Sequence, residues 1–259
     1  MEDNLFRIVI CIKPIRSELL SQDNNGFSEP FSLNPYEMLA LQQFVKLKKT
    51  GETPFKITCV CMAHPSAESL MKKMLAMGSD EAVLVSDSQF SGSDTVATSY
   101  ILSQAISKLE NVKLVVCGLK TIDGETGQIP PALSERLGFQ SVVSADELVA
   151  ITKDTITYKR VCKDSLCTLQ KDYPTVLTFR QFSTKPPVVN LLALKRSKNK
   201  EIPHWNGEDL GTDVSRCGLN GSKTKVLQIQ NEIVKKDGQE LEGTVDEKVE
   251  KIMGIIGIK

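Results

Sequence analysis

A polar loop between Gly118 and Gln128 carries the residues best suited to bind a ligand. It combines small residues, hydroxyls and carboxylates: Gly118, Thr121, Asp123, Gly124, Glu125, Thr126, Gly127 and Gln128. The apolar run before it, residues 114–117, predicts a strand that is buried on both faces. Ile129–Leu137, after it, predicts a helix with two prolines in its first turn. In an open α/β sheet, ligands bind where a strand passes to a helix, and free N–H groups at a helix start favour a phosphate.

No other residues in the sequence have the spacing of a catalytic or metal-binding motif. The sequence lacks a GxSxG elbow, and the absence of GxGxxG after the first strand argues against an ordinary dinucleotide dehydrogenase. Asp123 and Glu125 could form an acid–base pair, but loop carboxylates more often accept hydrogen bonds from their own backbone or from a ribose. His64 could approach a ligand, although a surface position is more common. With two histidines and no CxxC pair, we expect no zinc site.

The composition offers no general attraction for nucleic acid or membranes. Of the 259 residues, 41% are hydrophobic and 25% are charged, and 32 basic residues balance 32 acidic ones. No segment approaches the ~18 consecutive apolar residues of a membrane span, and the acidic start does not resemble a signal peptide. Seven cysteines, mostly in apolar runs, indicate reduced, buried thiols. We therefore expect a cytoplasmic protein with no membrane span and no nucleic-acid partner.

Strand and helix patterns alternate from the start of the chain to Gly138. Apolar and β-branched runs predict strands at residues 7–13, 56–62 and 82–85. Periodic apolar residues predict helices that begin near Asn34, Ala67 and Asp94, with Asn34 and Ser93 as the N-caps of the first and third. This alternation predicts an α/β fold, a doubly wound parallel sheet with helices on both faces.

The pattern changes after Gly138. Short strand patterns joined by Lys-Asp turns predict an antiparallel meander that extends the sheet domain. They lie at residues 142–151, 155–161, 165–169 and 175–180.

Regular periodicity is lost beyond Gln181, apart from a strand pattern at residues 224–230 and a helix pattern at Val245–Ile256. So long a stretch with little core of its own must pack on its own domain or on a partner subunit. We expect residues 1–185 to form the ligand-binding domain and residues 186–259 to form a C-terminal arm.

Features spread along the chain together resemble the β subunit of electron transfer flavoproteins. They are the RIVICIK strand, the Asn-Pro-Tyr-Glu helix start at residues 34–37, LAMGSD at 75–80, the loop at 118–128, and residues 190–202. In this order and spacing they match the family from Arg7 to about Ile229. The resemblance implies a doubly wound domain of the adenine nucleotide α-hydrolase type, with no catalytic site of its own.

The resemblance also implies partners and a cofactor. β subunits of this family pair with an α subunit that carries the main flavin, and they serve flavin-dependent dehydrogenases such as acyl-CoA or 2-hydroxy acid dehydrogenases. The loop after their fourth strand binds an adenine nucleotide, which is AMP in respiratory-type members and a second FAD in electron-bifurcating members. The positions that match the nucleotide contacts are Cys11, residues 34–37, Met62 and residues 121–132. The cofactor contacts expected among them are Cys11, Asn34, Tyr36, Met62, Thr121, Asp123, Gly124, Glu125, Thr126, Gly127, Gln128 and Ile129.

Residues 92–99, GSDTVATS, resemble the flavin-containing members more than the AMP-binding ones. Asp94, Thr95 and Thr98 place polar groups at a helix start, which suits a diphosphate. We therefore expect FAD, with AMP as the alternative cofactor. The other interpretation of these residues is a serine-capped helix whose remaining hydroxyls are only solvated. Pro130 replaces a small residue of the family pattern, which predicts one fewer N–H contact to the phosphate.

In the family, an exposed loop late in the chain recognises the partner dehydrogenase through an apolar anchor. The matching residues here are Val188, Val189, Asn190, Leu191 and Leu192. An apolar anchor ringed by charge is typical of transient interfaces. The alternatives are that residues 191–194 form a turn of core helix and that the basic residues 195–200 are only a solvated run.

The sequence therefore favours a non-catalytic electron-transfer subunit that binds FAD, docks an α subunit and passes electrons between a dehydrogenase and the α-subunit flavin. Electron bifurcation remains open, as does a structural AMP-binding subunit. The competing hypothesis from another class is a standalone nucleotide-binding regulator, which predicts a colourless monomer.

Overall fold

Strands and helices alternate along most of the chain. The computed structural model describes residues 5–16, 31–181, 189–225, 238 and 240–257. Its strands are β1 (Phe6–Ile12), β2 (Pro14–Arg16), β3 (Phe31–Leu33), β4 (Phe55–Met62), β5 (Glu81–Val85), β6 (Val112–Gly118), β7 (Gln140–Ala145), β8 (Glu147–Ile151), β9 (Thr155–Cys162), β10 (Ser165–Asp172), β11 (Thr175–Phe179) and β12 (His204–Trp205). Its helices are α1 (Pro35–Thr50), α2 (Glu68–Met77), α3 (Thr95–Ser107), α4 (Ile129–Leu137), α5 (Leu191–Lys198), α6 (Gly218–Gly221) and α7 (Val245–Ile256).

A seven-stranded sheet confirms the predicted doubly wound fold. Its strands lie in the order β12-β5-β4-β1-β6-β11-β7, and every neighbouring pair is parallel. Strands β4 and β6 flank β1, so the strand order reverses there. The carboxyl ends of β1, β4 and β6 therefore lie side by side at the switch point, where open α/β sheets bind ligands.

Helices cover both faces of this sheet. Successive strand residues point to opposite faces, so β1 contributes to two separate core clusters. Helices α1 and α2 pack on one face, and α3 and α4 pack on the other. The residues that represent the two clusters are Ile8, Phe44 and Met71 on the first face, and Val9, Ile101 and Leu133 on the second. All seven cysteines are free thiols, and most are buried.

The predicted four-strand meander is wrong at both ends. In this part of the chain, only β8, β9 and β10 form an antiparallel sheet, whereas β7 and β11 belong to the central sheet. A second, two-stranded antiparallel sheet pairs β2 with β3. The first pattern, residues 142–151, breaks at buried Asp146, whose carboxylate accepts from Val161 N–H at 2.8 Å and Arg180 Nε at 2.9 Å. The last strand, TVLTF, is buried at every position because helices or neighbouring strands surround it.

Residues 189–225 pack on the sheet domain. Strand β12 pairs with β5, Leu84 N–H donates to Pro203 O at 2.9 Å, and Gly207 N–H donates to Asp87 Oδ2 at 2.9 Å. The chain divides between Lys225 and Val226, later than the boundary predicted at residue 185. Residues 189–225 are attached to the sheet domain largely by backbone hydrogen bonds, which any sequence can make. They therefore show little of the hydrophobic periodicity from which a domain is recognised in a sequence.

The second unit, Val226–Lys259, contains the predicted helix α7. A capping box begins it: Thr244 Oγ1 accepts from Glu247 N–H, and Glu247 Oε2 accepts from Thr244 N–H. The strand predicted at residues 224–230 falls mainly outside the described residues, and Thr224 and Lys225 are not in a strand. None of the described helices is both long enough and apolar enough to cross a membrane.

Candidate functional site

A cleft of about 1010 Å³ opens at the carboxyl ends of β1, β4, β5 and β6. It therefore lies at the switch point of the sheet. Its volume is at the upper end of the range for small-molecule sites, about 300–1,000 Å³. Apolar side chains form part of its wall, namely Val85, Phe90, Leu102 and Ile129. Such a wall suits a planar ring, and the loops around it supply the polar groups.

Two loops meet across this cleft. One follows β5 and ends at the start of α3, and the other follows β6 and ends at the start of α4. A hydrogen bond joins them, from Thr95 Oγ1 to Gln128 Oε1 at 2.7 Å. The structure thus brings together the two segments from which the sequence predicted a nucleotide site.

Most residues predicted to bind the cofactor line the cleft. They are Cys11, Met62, Asp94, Thr95, Thr98, Thr121, Gly124, Thr126, Gly127 and Ile129. The remaining predicted residues lie outside the cleft lining. They are Asn34, Tyr36, Asp123, Glu125 and Gln128.

The carboxylates of the loop after β6 form ion pairs with lysines. Lys13 Nζ donates to Asp123 Oδ2 at 2.6 Å, and Lys120 Nζ donates to Glu125 Oε1 at 2.8 Å. Asp123 also accepts from Gly124 N–H at 2.7 Å. These contacts shape the loop. Burial alone would raise the pKa of Asp123, but Lys13 and the other donors lower it overall.

Backbone N–H groups at the start of α4 are available for a phosphate. Within the described residues, the N–H groups of Thr126, Gly127 and Ile129 donate to no protein acceptor. Pro130 and Pro131 follow in the first turn and have no N–H. The donor set therefore lies at the end of the loop and at the first helical residue, which is a suitable cradle for an anion.

Asp94 lines the cleft, but its carboxylate accepts hydrogen bonds from the backbone of two segments of the chain. Oδ1 accepts from Val96 N–H at 2.9 Å and Ala97 N–H at 3.1 Å, so Asp94 is the N-cap of α3. The prediction of Ser93 as this cap is therefore wrong, because Ser93 Oγ donates to Phe90 O instead. Oδ2 accepts from Lys223 N–H at 2.6 Å and from Thr224 N–H at 2.9 Å. Burial alone would raise the pKa of Asp94, but these backbone donors lower it overall.

Asn34 supports the loop from below the cleft. Its backbone carbonyl accepts from Glu37 N–H and Met38 N–H at the start of α1, but its side chain makes no capping hydrogen bond. Asn34 Nδ2 instead donates to Lys120 O at 3.0 Å, at the beginning of the loop. A Cβ at Gly118 would lie 2.7 Å from Asn34 Nδ2, so only glycine permits this approach.

Glu37 is a buried carboxyl group that borders the cleft. Glu37 is only 4% exposed, and it is among the residues that line the cleft. Oε2 accepts from Lys13 N–H at 2.7 Å, and Oε1 accepts from Asn34 Nδ2 at 3.2 Å. Burial outweighs these donors and raises the pKa of Glu37 to about 8. The sequence placed Glu37 in the segment that matches the nucleotide contacts, but it did not predict the burial, which depends on how α1 packs beneath the loops.

Glu37→Gln is expected to remove a pH dependence of stability. The folded protein holds the Glu37 proton up to about pH 8, whereas an ordinary glutamate loses it near pH 4.5. The contribution of this proton to the free energy of unfolding is therefore present in full below pH 4.5. It is lost as the pH rises to about 8, by up to about 1.4 kcal/mol per pH unit. Urea denaturation across this window measures the slope. Equal slopes for the wild type and Glu37→Gln would contradict the assignment.

Comparison with known proteins identifies the family of this chain. A family model described as the electron transfer flavoprotein domain matches residues 27–210. The chain belongs to the electron transfer flavoprotein family. It is 30% identical to the electron transfer flavoprotein subunit beta of Clostridium acetobutylicum, with 93% of each chain covered. It is 32% identical to the acryloyl-CoA reductase electron transfer subunit gamma of Anaerotignum propionicum, covering 95% of this chain and 96% of the relative. It is also 32% identical to Protein FixA of Sinorhizobium fredii, covering 86% and 82%.

The part that matches the electron transfer flavoprotein family contains both loops of the cleft. It also contains α5, whose first turn carries the residues predicted to recognise a dehydrogenase. Asn190 Oδ1 caps α5 by accepting from Leu192 N–H at 2.8 Å. Leu191 and Leu192 are 81% and 61% exposed, so they do not form a turn of core helix. Val189 is half-buried, and Val188 lies outside the described residues.

Proposed function

We propose that this chain is the β subunit of an electron transfer flavoprotein, which binds FAD in the cleft and passes electrons between a dehydrogenase and the α-subunit flavin. The observation that carries the proposal is the meeting of two loops at the switch point, joined through Thr95 and Gln128. Membership of the family supports the electron-transfer role. When bound, FAD supplies the redox chemistry, and the protein places it and tunes its potential.

The residues around the cleft fit a dinucleotide such as FAD. The free N–H groups of Thr126, Gly127 and Ile129 would bind one phosphate, and the hydroxyl of Thr98, which also lines the cleft, would bind the other. The Thr95 hydroxyl already donates to Gln128 Oε1 and holds the two loops together. The apolar wall would shield a ring from water. AMP, the alternative, has one phosphate and would use only the first set of donors. The presence of both sets therefore favours FAD.

An electron-transfer subunit requires partner chains. We infer an α subunit as the obligate partner and a flavin-dependent dehydrogenase, of the acyl-CoA or 2-hydroxy acid class, as the exchange partner. A curated relative is named as the electron transfer subunit of an acryloyl-CoA reductase, which supports the acyl-CoA class. Helix α7 exposes Val245, Val249, Ile252 and Ile255, which supports docking of this helix on the α subunit.

Affinity purification of this chain from its own cells tests the subunit assignment. A second, flavin-bearing chain is expected to co-purify in equal amount. A standalone nucleotide-binding regulator would instead purify as a colourless monomer, and that result would reject the proposed function.

Leu191→Ala is expected to slow electron exchange with the dehydrogenase by at least about tenfold, because an exposed apolar anchor contributes about 2 kcal/mol or more to a transient interface. Stopped-flow reduction of the intact complex by the dehydrogenase measures the rate. Leu166→Ala, another exposed leucine on β10, is the matched control and should leave the rate unchanged.

The flavin content of both variants should equal that of the wild type. Loss of flavin from Leu191→Ala would indicate a folding role, and equal rates for Leu191→Ala and Leu166→Ala would exclude α5 as the recognition element. The same substitution at Val188 extends the test to the predicted start of this segment.

A further inference from the structure

The two oxygens of Glu37 are both used as hydrogen-bond acceptors at the edge of the cleft. Lys13 N–H approaches Oε2, and the amide of Asn34 approaches Oε1. The side chain is buried, and Glu37 is among the residues that line the cleft. A charged carboxylate in this place would be incompletely solvated, because two donors satisfy only part of its accepting capacity.

The groups around Glu37 favour its neutral form. Lys13 has the nearest positive charge, but its ammonium pairs with the Asp123 carboxylate at 2.6 Å, so this pair adds little net charge. Asn34 is uncharged. The other titratable neighbours are thiols on β1, β4 and β6, namely Cys11, Cys59, Cys61 and Cys117. Burial therefore dominates, and the raised pKa leaves Glu37 mainly protonated at neutral pH.

A neutral carboxyl group carries an O–H that needs an acceptor when it is buried. The neighbours on both oxygens are donors, and thiol sulfur is a weak acceptor. The cleft that Glu37 borders has room for a further acceptor. We propose that Glu37 acts as a neutral acid that donates a hydrogen bond to a ring acceptor atom of the bound nucleotide, and that nucleotide binding is therefore coupled to protonation of Glu37. This inference rests on the proposed function, which places the nucleotide in this cleft.

Asn34 offers the competing acceptor. Its Oδ1 is buried and has no hydrogen-bond partner among the described residues. If the Glu37 proton were donated to Asn34 Oδ1, the proton would be used within the protein, and nucleotide binding would not depend on it. The two arrangements therefore differ in the number of protons taken up on binding.

Calorimetry on the complex of this chain with its flavin-bearing partner, freed of nucleotide, tests the inference with FAD and AMP as probes. Titrations in buffers of different ionisation heat count the protons taken up. Above about pH 8, the wild type should take up close to one proton more than Glu37→Gln, and its affinity should fall by up to about tenfold per pH unit. Glu37→Gln keeps an N–H donor, but its amide nitrogen cannot accept the hydrogen bond that one carboxyl oxygen accepts from Lys13 N–H or Asn34 Nδ2. This lowers its affinity equally at every pH, so the pH dependence that remains should be only that of the nucleotide's own titration.

Glu37→Met tests the hydrogen bond itself, since it keeps a similar volume without a donor. Its affinity at pH 7 should be lower than that of Glu37→Gln by about tenfold, the effect of one hydrogen bond of about 1.4 kcal/mol. Circular dichroism and the melting temperature verify that it folds. If Glu37→Met does not fold, the comparison of proton uptake between the wild type and Glu37→Gln is the test of the inference.

Equal proton uptake by the wild type and Glu37→Gln would overturn the inference, as would wild-type affinity in a folded Glu37→Met. Failure of both FAD and AMP to bind the wild-type complex at any pH would reject the proposed function, and the inference would fall with it. If the nucleotide binds but the wild type takes up no more protons than Glu37→Gln, the inference is rejected and the proposed function stands.

Discussion

Gly118→Ala is expected to weaken nucleotide binding by at least about tenfold and to lower stability by about 1–3 kcal/mol, the usual cost of overpacking. The new Cβ would lie 2.7 Å from Asn34 Nδ2, closer than real Cβ atoms approach other atoms, and 3.1 Å from Lys120 O, closer than most of them do. Either Asn34 or the backbone at Lys120 must move. Because both set the start of the loop after β6, the donors near Thr126 would be displaced from the cleft.

Gly124→Ala is the matched control, since it makes the same substitution in the same loop. Its Cβ would meet only Thr121 Oγ1, at an ordinary contact distance of 3.5 Å. Calorimetric titration with FAD and AMP compares the variants with the wild type. Gly124 also lines the cleft, so a smaller loss of affinity in Gly124→Ala than in Gly118→Ala is the expected pattern. Equal affinities in the two variants would show that the approach of Asn34 to Gly118 does not shape the site.

Asp94→Ala is expected to destabilise the protein by about 2 kcal/mol, the upper end of the range for loss of an N-cap. The carboxylate satisfies N–H groups at the start of α3 and also fixes residues 223–224. Removal therefore leaves donors from two segments without a partner. Urea denaturation measures the loss, and limited proteolysis should show faster cleavage near residues 217–225.

Asp94→Asn separates the two contacts. Its Oδ1 can still cap α3, but its amide would face the N–H groups of Lys223 and Thr224 as a donor. We expect intermediate stability, with the increased cleavage retained. Because the pKa of Asp94 is lowered in the folded protein, its stabilising effect is present near neutral pH and is lost as the pH falls. A wild-type proteolysis pattern in both variants would contradict the anchoring role.

The parts of the fold that are periodic were predictable from the sequence. The apolar runs of β1, β4, β5 and β6, with amphipathic helices between them, were enough to predict a doubly wound sheet. Helix α4 and helix α7 were predicted with the bounds that the structure has. These elements have strong local signals, including prolines in the first turn of α4 and glycine after its end.

The pairing of later strands was not predictable in the same way. The sequence predicts residues 175–180 as the last strand of a meander, but β11 returns to the central sheet between β6 and β7. Sequence neighbours usually pair, whereas this strand pairs with partners far away in the chain. The strand is buried at every position. A meander strand with one solvent-exposed face would instead alternate between buried and exposed residues. Likewise, β12 has only two residues and no pattern of its own.

In the site, the sequence indicated which loops contribute but not what each side chain does. Thr95 and Gln128 were both predicted, and the structure adds the hydrogen bond that joins their loops. Asp94 was predicted as a cofactor contact, yet its oxygens accept from the backbone. Glu37 and Gly118 gain their importance from tertiary packing around Asn34, which no local pattern records. The spacing Asn-Pro-Tyr-Glu was visible, but burial of the glutamate was not.

Counting the nucleotides in the purified complex tests the central claim most directly. The complex of this chain with its α subunit is denatured, and the released FAD and AMP are separated by chromatography and quantified against protein. The account predicts two FAD molecules per complex and no AMP. One FAD with one AMP would place AMP in the cleft instead. One FAD with no AMP would leave no nucleotide for this chain and would contradict the account.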